Sequence, residues 1–417
     1  MSVGSAMPLA DVVSAEALVE SGGEGGSRVA FAHLALGREP DAVVAPGSIE
    51  EVVALLAWAE SNSVGVIPVG TGTHLGDRRP AGPYVVLSTE RLSGVEIYEP
   101  ADLTLTAKSG TRVGDLARVA EEHRQWLPFD PMDVPNRTLG GLASAGVTGP
   151  LWAGYGHLRN HVLGMTVVCG DGRVLRLGGR VVKNVAGFDL IKPMVGSRGR
   201  LAVITSLTVR LFPLPAVDKV LLLEGAEVSS LLPAARAMAT APILPASVVL
   251  SDSRDGGSTL LVRLHGARET VDADQRTLES HAGVLFAVAE GSQATELLTA
   301  TRDAGADAAI RLCLRALPSQ LGALLHVARG PMAGMNEELM ADVIEGSARL
   351  AWSGATTDAA LVIEELRSGA ESLGGTVTVD RCPVGMDPAA LSSRLSADAR
   401  EIGEGVRRIF DPGGVLL

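Results

Sequence analysis

Aromatic side chains are scarce: four tryptophans, three tyrosines and six phenylalanines make up 3% of the 417 residues. The core must therefore rest on Ala, Val and Leu, within a hydrophobic content of 46%. Cysteine is scarcer still. Cys169, Cys313 and Cys382 stand far apart with no Cys-x-x-Cys between them, a pattern that points to buried thiols in a reducing compartment and leaves too few thiolates for a four-cysteine iron–sulfur cluster within the chain. No apolar run reaches the roughly 18 to 20 residues that cross a bilayer. The stretch Met1 to Ala10 lacks the basic and then apolar order of a signal peptide. Positive charge is the minority, 36 Lys and Arg against 48 Asp and Glu for a net charge of −12, which argues against nucleic acid or an anionic membrane as the main partner. His265 and His326 have no partner at metal-ligand spacing, so no metal is assigned. A cytoplasmic chain of two or three domains is expected.

Glycine is what the chain has in quantity, and it is concentrated where it can act. Thr138 to Pro150 is a run of small residues, Thr-Leu-Gly-Gly-Leu-Ala-Ser-Ala-Gly-Val-Thr-Gly-Pro. Without a Cβ the backbone can approach a ligand closely, and serial main-chain N–H groups can cradle an anion. An earlier run, Gly70-Thr71-Gly72-Thr73-His74-Leu75-Gly76, follows a strand-like Val64 to Val69. It mimics a dinucleotide-binding fingerprint, with Glu90 further on. However, Asp77-Arg78-Arg79-Pro80-Ala81-Gly82-Pro83 cannot open the required helix. Both runs are therefore read as Gly-rich turns between strands, and together they suggest a nucleotide pyrophosphate lying on backbone. Leu201, Val203, Thr205, Leu207, Val209 and Leu211 alternate along a long closing strand.

Elsewhere, Ser48 and Glu51 form a capping box ahead of a helix carrying Val52, Leu55, Leu56 and Ala59. Strands are expected at Tyr84 to Ser88 and Leu103 to Ala107, a helix at Val113 to Glu122, and a hairpin from Val162–Cys169 through Gly170-Asp171-Gly172 into Val174–Leu177. Beyond Pro213-Leu214-Pro215 a β-α-β-β-α-β order appears twice, the split βαβ pattern of an antiparallel sheet with helices on one face. Arg311 and Arg315 alternate on one of these strands and could bind a carboxylate, with no base beside them in sequence. Trp152 and Tyr155 are read as packing residues, with the lining of a cofactor entrance as the alternative. Lys183 is read equally as a group near a cofactor or as an ion-pair partner of Asp189. Gly196-Ser197-Arg198-Gly199 lacks the frame of a nucleophile elbow.

With these residues set out, the chain resembles the FAD-binding E subunit of bacterial glycolate oxidase, in the vanillyl-alcohol oxidase / p-cresol methylhydroxylase flavoprotein superfamily. Pro68 to Thr73 resembles the first pyrophosphate loop, Thr138 to Gly141 the second, and Arg159-Asn160-His161-Val162-Leu163-Gly164 the segment after it. Val181 to Leu190 with Met194 to Ser197 is similar to the E-subunit signature, and Leu201 to Thr205 to the adenine-reading strand. The resemblance implies an α+β fold of two lobes, a PCMH-type FAD-binding domain with an antiparallel-sheet cap. Residues 1–40 would be an arm, 41–215 the FAD domain, 216–383 the cap and 384–417 a return to the FAD domain. FAD would be held non-covalently, His74 serving as a polar loop residue. The cofactor contacts would be Pro68, Val69, Gly70, Thr71, Gly72, Thr73, His74, Leu75, Pro131, Thr138, Leu139, Gly140, Gly141, Ser144, Ala145, Thr148, Gly149, Arg159, Val162, Val203 and Ile204, with Arg159 as a clamp.

The resemblance further implies a 2-hydroxy acid such as glycolate or D-lactate as substrate, a second flavin subunit and an iron–sulfur subunit as partners, and membrane association, if any, through those partners. The alternative is a stand-alone FAD oxidase acting on another alcohol or hydroxy acid. The related catalytic subunits carry His-Pro-x-Gly-Asp-Gly-Asn and a later Glu-His-Gly. Neither occurs here, and Thr376 to Pro383 stands where the second is expected. No catalytic residue is assigned, and the isolated chain is not expected to turn over glycolate or D-lactate.

Overall fold

The computed structural model describes residues 8–19, 39–75, 80–179, 188–253, 257–332, 337–353, 358–383 and 385–417. Lys183, Gly76 and the Val181 to Gly187 part of the signature lie outside them.

The N-terminal lobe holds two main sheets. The first takes β1 (Ala42–Val44), α1 (Ile49–Asn62), β2 (Gly65–Val69) and β3 (Tyr84–Ser88), its strands parallel in the order β1-β3-β2. Ser48 Oγ accepts from Glu51 N at 3.2 Å, while the Glu51 carboxylate reaches back to Gly47 N at 2.7 Å. The capping box is thus closed one residue earlier than expected. Val52, Leu55, Leu56 and Ala59 are buried. The second sheet takes β4 (Val95–Glu99) and β5 (Thr104–Lys108), then, after α2 (Val113–Glu121), β6 (Gln125–Trp126), α3 (Leu139–Ala145) and α4 (Trp152–Tyr155), the hairpin β7 (Val162–Cys169) and β8 (Val174–Gly178). Past α5 (Ile191–Met194), β9 (Ala202–Arg210) lies in its centre, in the order β4-β5-β9-β7-β8, and β10 (Phe212–Pro213) pairs with β6. Strand β4 was not foreseen because it is an exposed edge without an apolar stripe.

The single face expected along 201–211 is corrected by a bulge. Opposite β7 the register slips between Thr166 and Val167, leaving Thr205 unpaired. Leu207, Val209 and Leu211 share a core with Ala202 and Ile204, while Val203 turns to the α1 side. A bulge residue flips the alternation, and both faces of β9 are buried up to Thr208–Val209.

The cap is one antiparallel eight-stranded sheet made of two similar halves. The first contains β11 (Val217–Gly225), α6 (Val228–Thr240), β12 (Ser247–Ser253), β13 (Gly257–Gly266), α7 (Arg268–Ala282) and β14 (Ala287–Glu290), followed by α8 (Gly291–Asp303). The second contains β15 (Ile310–Arg315), α9 (Leu321–Arg329), β16 (Glu337–Asp342), β17 (Ser347–Trp352), α10 (Ala359–Ser372) and β18 (Thr376–Arg381). The order β14-β11-β13-β12-β16-β17-β15-β18 joins the halves at β12·β16. Alternation assigns the faces. Leu312, Leu314, Leu350, Val377 and Val379 pack with residues of α9 and α10 in the main core. On the other face Val249 and Leu261 are covered by α8.

After α11 (Pro388–Leu391), α12 (Ala397–Phe410) brings the chain back to the first lobe. The buried Asp411 carboxylate accepts from Val415 N and Leu416 N at 2.8 and 3.0 Å, which folds the tail so that Leu416 pairs with Val66 beside β2.

Candidate active site

Loop and helix meet at a slot in the N-terminal lobe of about 680 Å³, walled by residues 68–75, by Thr138 and its neighbours on α3, and by Ala202, Val203 and Ile204 of β9. The second small-residue run is not the turn that its glycines suggested. It forms the short helix α3, capped by Thr138 Oγ1 accepting from Gly141 N at 3.1 Å and ended by Gly146 at φ +70°. Ser and Thr at an N-cap compensate for the poor helix propensity of glycine. The amides of Leu139 and Gly140 donate to Thr111 O and Ser109 O at 2.9 and 2.8 Å. The start of α3 is therefore satisfied internally, and its glycines serve close packing. A Cβ at Gly140 would lie 2.5 Å from Ser109 Cβ.

The first loop is different. Gly70, Thr71, Gly72, Thr73 and His74 donate from no backbone amide to a protein group among the described residues, and Gly72 sits at φ +72°. Five free amides around one slot suit a phosphate oxyanion. The Ser109 hydroxyl, buried in the slot wall, also lacks a protein partner there. The residues present fit a dinucleotide.

Of the anticipated cofactor contacts, residues 68–75, Thr138, Gly140, Gly141, Ser144, Ala145, Val203 and Ile204 line this slot. Pro131, Thr148 and Gly149 line a second, larger cleft of about 1280 Å³ between the lobes. Leu139 lies in the core, Val162 is buried at the start of β7, and Arg159 is exposed on the turn before it; all three stand outside both spaces.

Slot and cleft share His74, Arg137, Ala145 and Arg198. Three of these belong to a charged seam that sequence reading missed. Arg137, 4% exposed, donates to Met132 O at 2.6 Å and lies 2.6 Å from His74 Nε2, whose other ring nitrogen lies 3.7 Å from the Asp380 carboxylate of β18. With Arg137 donating to Nε2, the His74 proton resides on Nδ1, toward Asp380. Burial depresses the His74 pKa against the pull of Asp380, so the imidazole stays neutral. Burial pushes Asp380 up, but His74 and the arginines Arg198 and Arg311 outweigh it and hold the carboxyl at about 2. Arg198, in a turn at φ +55° between Gly196 and Gly199, had drawn notice only as a failed nucleophile motif.

The cap side of the cleft is the uncovered face of the second half-sheet. The alternation that sends Leu312 and Leu314 to the core sends Arg311, Cys313 and Arg315 to the cleft, joined by Arg349, Asp342 and Asp380. Arg311 reaches the other lobe at Thr73 O, 3.5 Å away. Its buried Nε has no partner, and neither Arg311 nor Arg349 has a carboxylate partner among the described residues. Burial lowers both guanidinium pKa values, that of Arg349 to about 10, which leaves them cationic. Asp189, considered as a partner of Lys183, is 3.3 Å from Lys192.

Residues 40–178 match the family model described as an FAD binding domain. With the slot and the two-lobed PCMH-type fold, this defines an FAD-dependent oxidoreductase with FAD as its cofactor. The chain is 26% identical over 416 residues to glycolate oxidase subunit GlcD of Bacillus subtilis, covering 90% of this chain and 88% of that protein. It is 39% identical over 123 residues to glycolate oxidase subunit GlcE of Escherichia coli, covering 29% of this chain and 35% of that protein. Among solved structures, alkyldihydroxyacetonephosphate synthase shares the fold, with TM-score 0.68, 15% identity and 90% of this chain and 75% of that chain covered. No described helix is long and apolar enough to cross a membrane.

Proposed function

We propose that the protein oxidises a small 2-hydroxy acid in the interlobe cleft, as the FAD-binding subunit of a glycolate-oxidase-like assembly that passes the electrons to partner chains. Residues 41–215 and 384–417 would act as the flavin lobe and 216–383 as the cap. The observation that carries the reading is the junction of the two spaces. The slot that fits FAD opens at His74 and Arg137 into a cleft with two arginines, Arg311 and Arg349, that form no ion pair among the described residues. Bound FAD would supply the redox chemistry, taking hydrogen and an electron pair from the substrate carbon. The protein's part is to hold and orient. Arg311 on β15 and Arg349 on the neighbouring β17, which pairs with Cys313 of β15, are diagonal on one sheet face and would grip the carboxylate with charge-assisted hydrogen bonds. The Arg137–His74–Asp380 seam would fix the first loop against the cap.

Likeness to both the D and the E subunit of glycolate oxidase supports a related flavin chain as one partner. An iron–sulfur chain as the electron exit, and a place in the cytoplasm or at a membrane through partners, complete the reading. Anaerobic mixing with glycolate, D-lactate and larger 2-hydroxy acids tests it. Bleaching of the visible flavin band by at least one acid is expected, with slow recovery in dioxygen and fast recovery with the partner chains. A spectrum unchanged by every acid would contradict it, and fast recovery in dioxygen alone would favour a stand-alone oxidase.

A further inference from the structure

Three carboxyl groups line the cleft, and their surroundings separate them. Asp380 faces His74 and the arginines that keep it ionised. Glu345 is 3.6 Å from Arg315 and accepts from Ser347 Oγ at 2.6 Å. Asp342, at the end of β16 and 4% exposed, has no cationic partner among the described residues. Its orientation is nonetheless fixed. Oδ1 accepts from Ile344 N and Glu345 N at 3.0 and 2.9 Å, and Oδ2 accepts from Trp152 Nε1, across the cleft on α4, at 2.8 Å. A carboxylate oxygen has room for two donors, so Oδ2 keeps one acceptor position.

We propose that Asp342 is the proton acceptor of the oxidation: it takes the hydroxyl proton of a 2-hydroxy acid whose carboxylate sits on Arg311 and Arg349. The O–H and Cα–H bonds break and a carbonyl forms; the proton goes to Asp342, and the hydrogen and electron pair from Cα go to the FAD. This rests on the reading of the cleft as a 2-hydroxy-acid site, and it names a base where the sequence, lacking both histidine motifs, assigned no catalytic residue.

The histidines of the cleft are placed differently. His74 has Arg137 on one nitrogen and Asp380 beyond the other. His157 stacks on Trp152, ring centroids 4.8 Å apart, and is the rival base. The charged groups around Asp342 are Glu345 on its own hairpin, Arg349 on β17, Arg315 on β15 and, across the cleft, His157 when protonated. Burial raises the Asp342 pKa to about 7 against its three donors, with the Glu345 charge adding to the rise. A base is most effective with a pKa near the working pH.

The test uses the full-length, FAD-loaded protein in anaerobic stopped flow with whichever 2-hydroxy acid bleaches it. Asp342→Asn should slow flavin reduction by about a hundredfold or more. FAD content should be unchanged, and 2-hydroxy-2-methylpropanoate, which has no Cα hydrogen to lose, should still bind with a saturable spectral shift. The wild-type rate should rise with pH through about 7, and that rise should vanish in the variant. Trp152→Phe removes a donor that favours the ionised form while keeping the carboxylate, so its profile should move to higher pH. This second variant decides the matter if Asp342→Asn does not retain FAD. Reduction of Asp342→Asn at the wild-type rate, loss in His157→Gln instead, or an unmoved profile in Trp152→Phe would overturn the role of Asp342 alone. Absence of reduction by any acid would overturn it together with the proposed function.

Discussion

At the residue scale the site depends on groups that sequence distance conceals. His74, Arg137 and Asp380 form one seam, yet only the neighbourhood of Arg137 and His74 to the small-residue runs gave a local hint. Arg159 drew attention by standing after a glycine run, but the chain turns it outward. Arg159→Ala should therefore leave the FAD dissociation constant unchanged in a flavin titration. Arg137→Ala, by contrast, should weaken binding about tenfold or more, the worth of one charged hydrogen bond. Gly72→Val should yield colourless protein, because Gly72 lines the slot and φ +72° is strained for a β-branched residue.

Titration of the buried acids also sets stability. Asp380 lies at about 2 in the fold against 3.8 ordinarily, so its contribution is present above about pH 4 and lost as the pH falls toward 2. Asp342 lies at about 7. The fold then binds the proton more tightly than the unfolded chain does, and its contribution declines as the pH rises from about 4 to 7. Thermal melts across that window should show a shallower decline for Asp342→Asn than for the wild type; parallel curves would contradict the burial argument.

At the scale of elements, periodicity was informative where one face alone is buried and misleading where both are. In the second half of the cap one face of the sheet is apolar and the other polar, and the β-α-β-β-α-β order that the pattern gave is found. On β9 a bulge at Thr205, whose hydroxyl donates to Thr166 O at 3.1 Å, swaps the faces midway. No residue type announces such a bulge. Helix α3 went unread because glycine lowers helix propensity and its stability comes from the Thr138 cap and packing on Ser109. Thr138→Ala should cost about 1 kcal/mol in stability and loosen the slot, read as a lower melting temperature and weaker FAD retention. A variant that melts and binds like the wild type would remove the cap from the account.

At the scale of the molecule, three of the few aromatics gather at the junction of the lobes. Trp126, Tyr155 and Phe212 pack edge to face, with Trp126 and Tyr155 centroids 5.4 Å apart, and Tyr155 Oη lies 2.8 Å from His265 Nδ1 of β13. The repeated strand order of the cap was legible in the sequence, and the two-lobed architecture followed from the resemblance that the glycine runs carry. The way the second half-sheet leaves its polar face open to the flavin slot was not, because it depends on how the lobes dock. That docking is the central claim, and an anaerobic titration with 2-hydroxy-2-methylpropanoate, read at the flavin band, tests it most directly. A saturable spectral shift is predicted, with affinity about tenfold or more weaker in Arg311→Ala. A flavin spectrum indifferent to the acid, or an equal dissociation constant in the variant, would contradict a carboxylate site opening onto the cofactor.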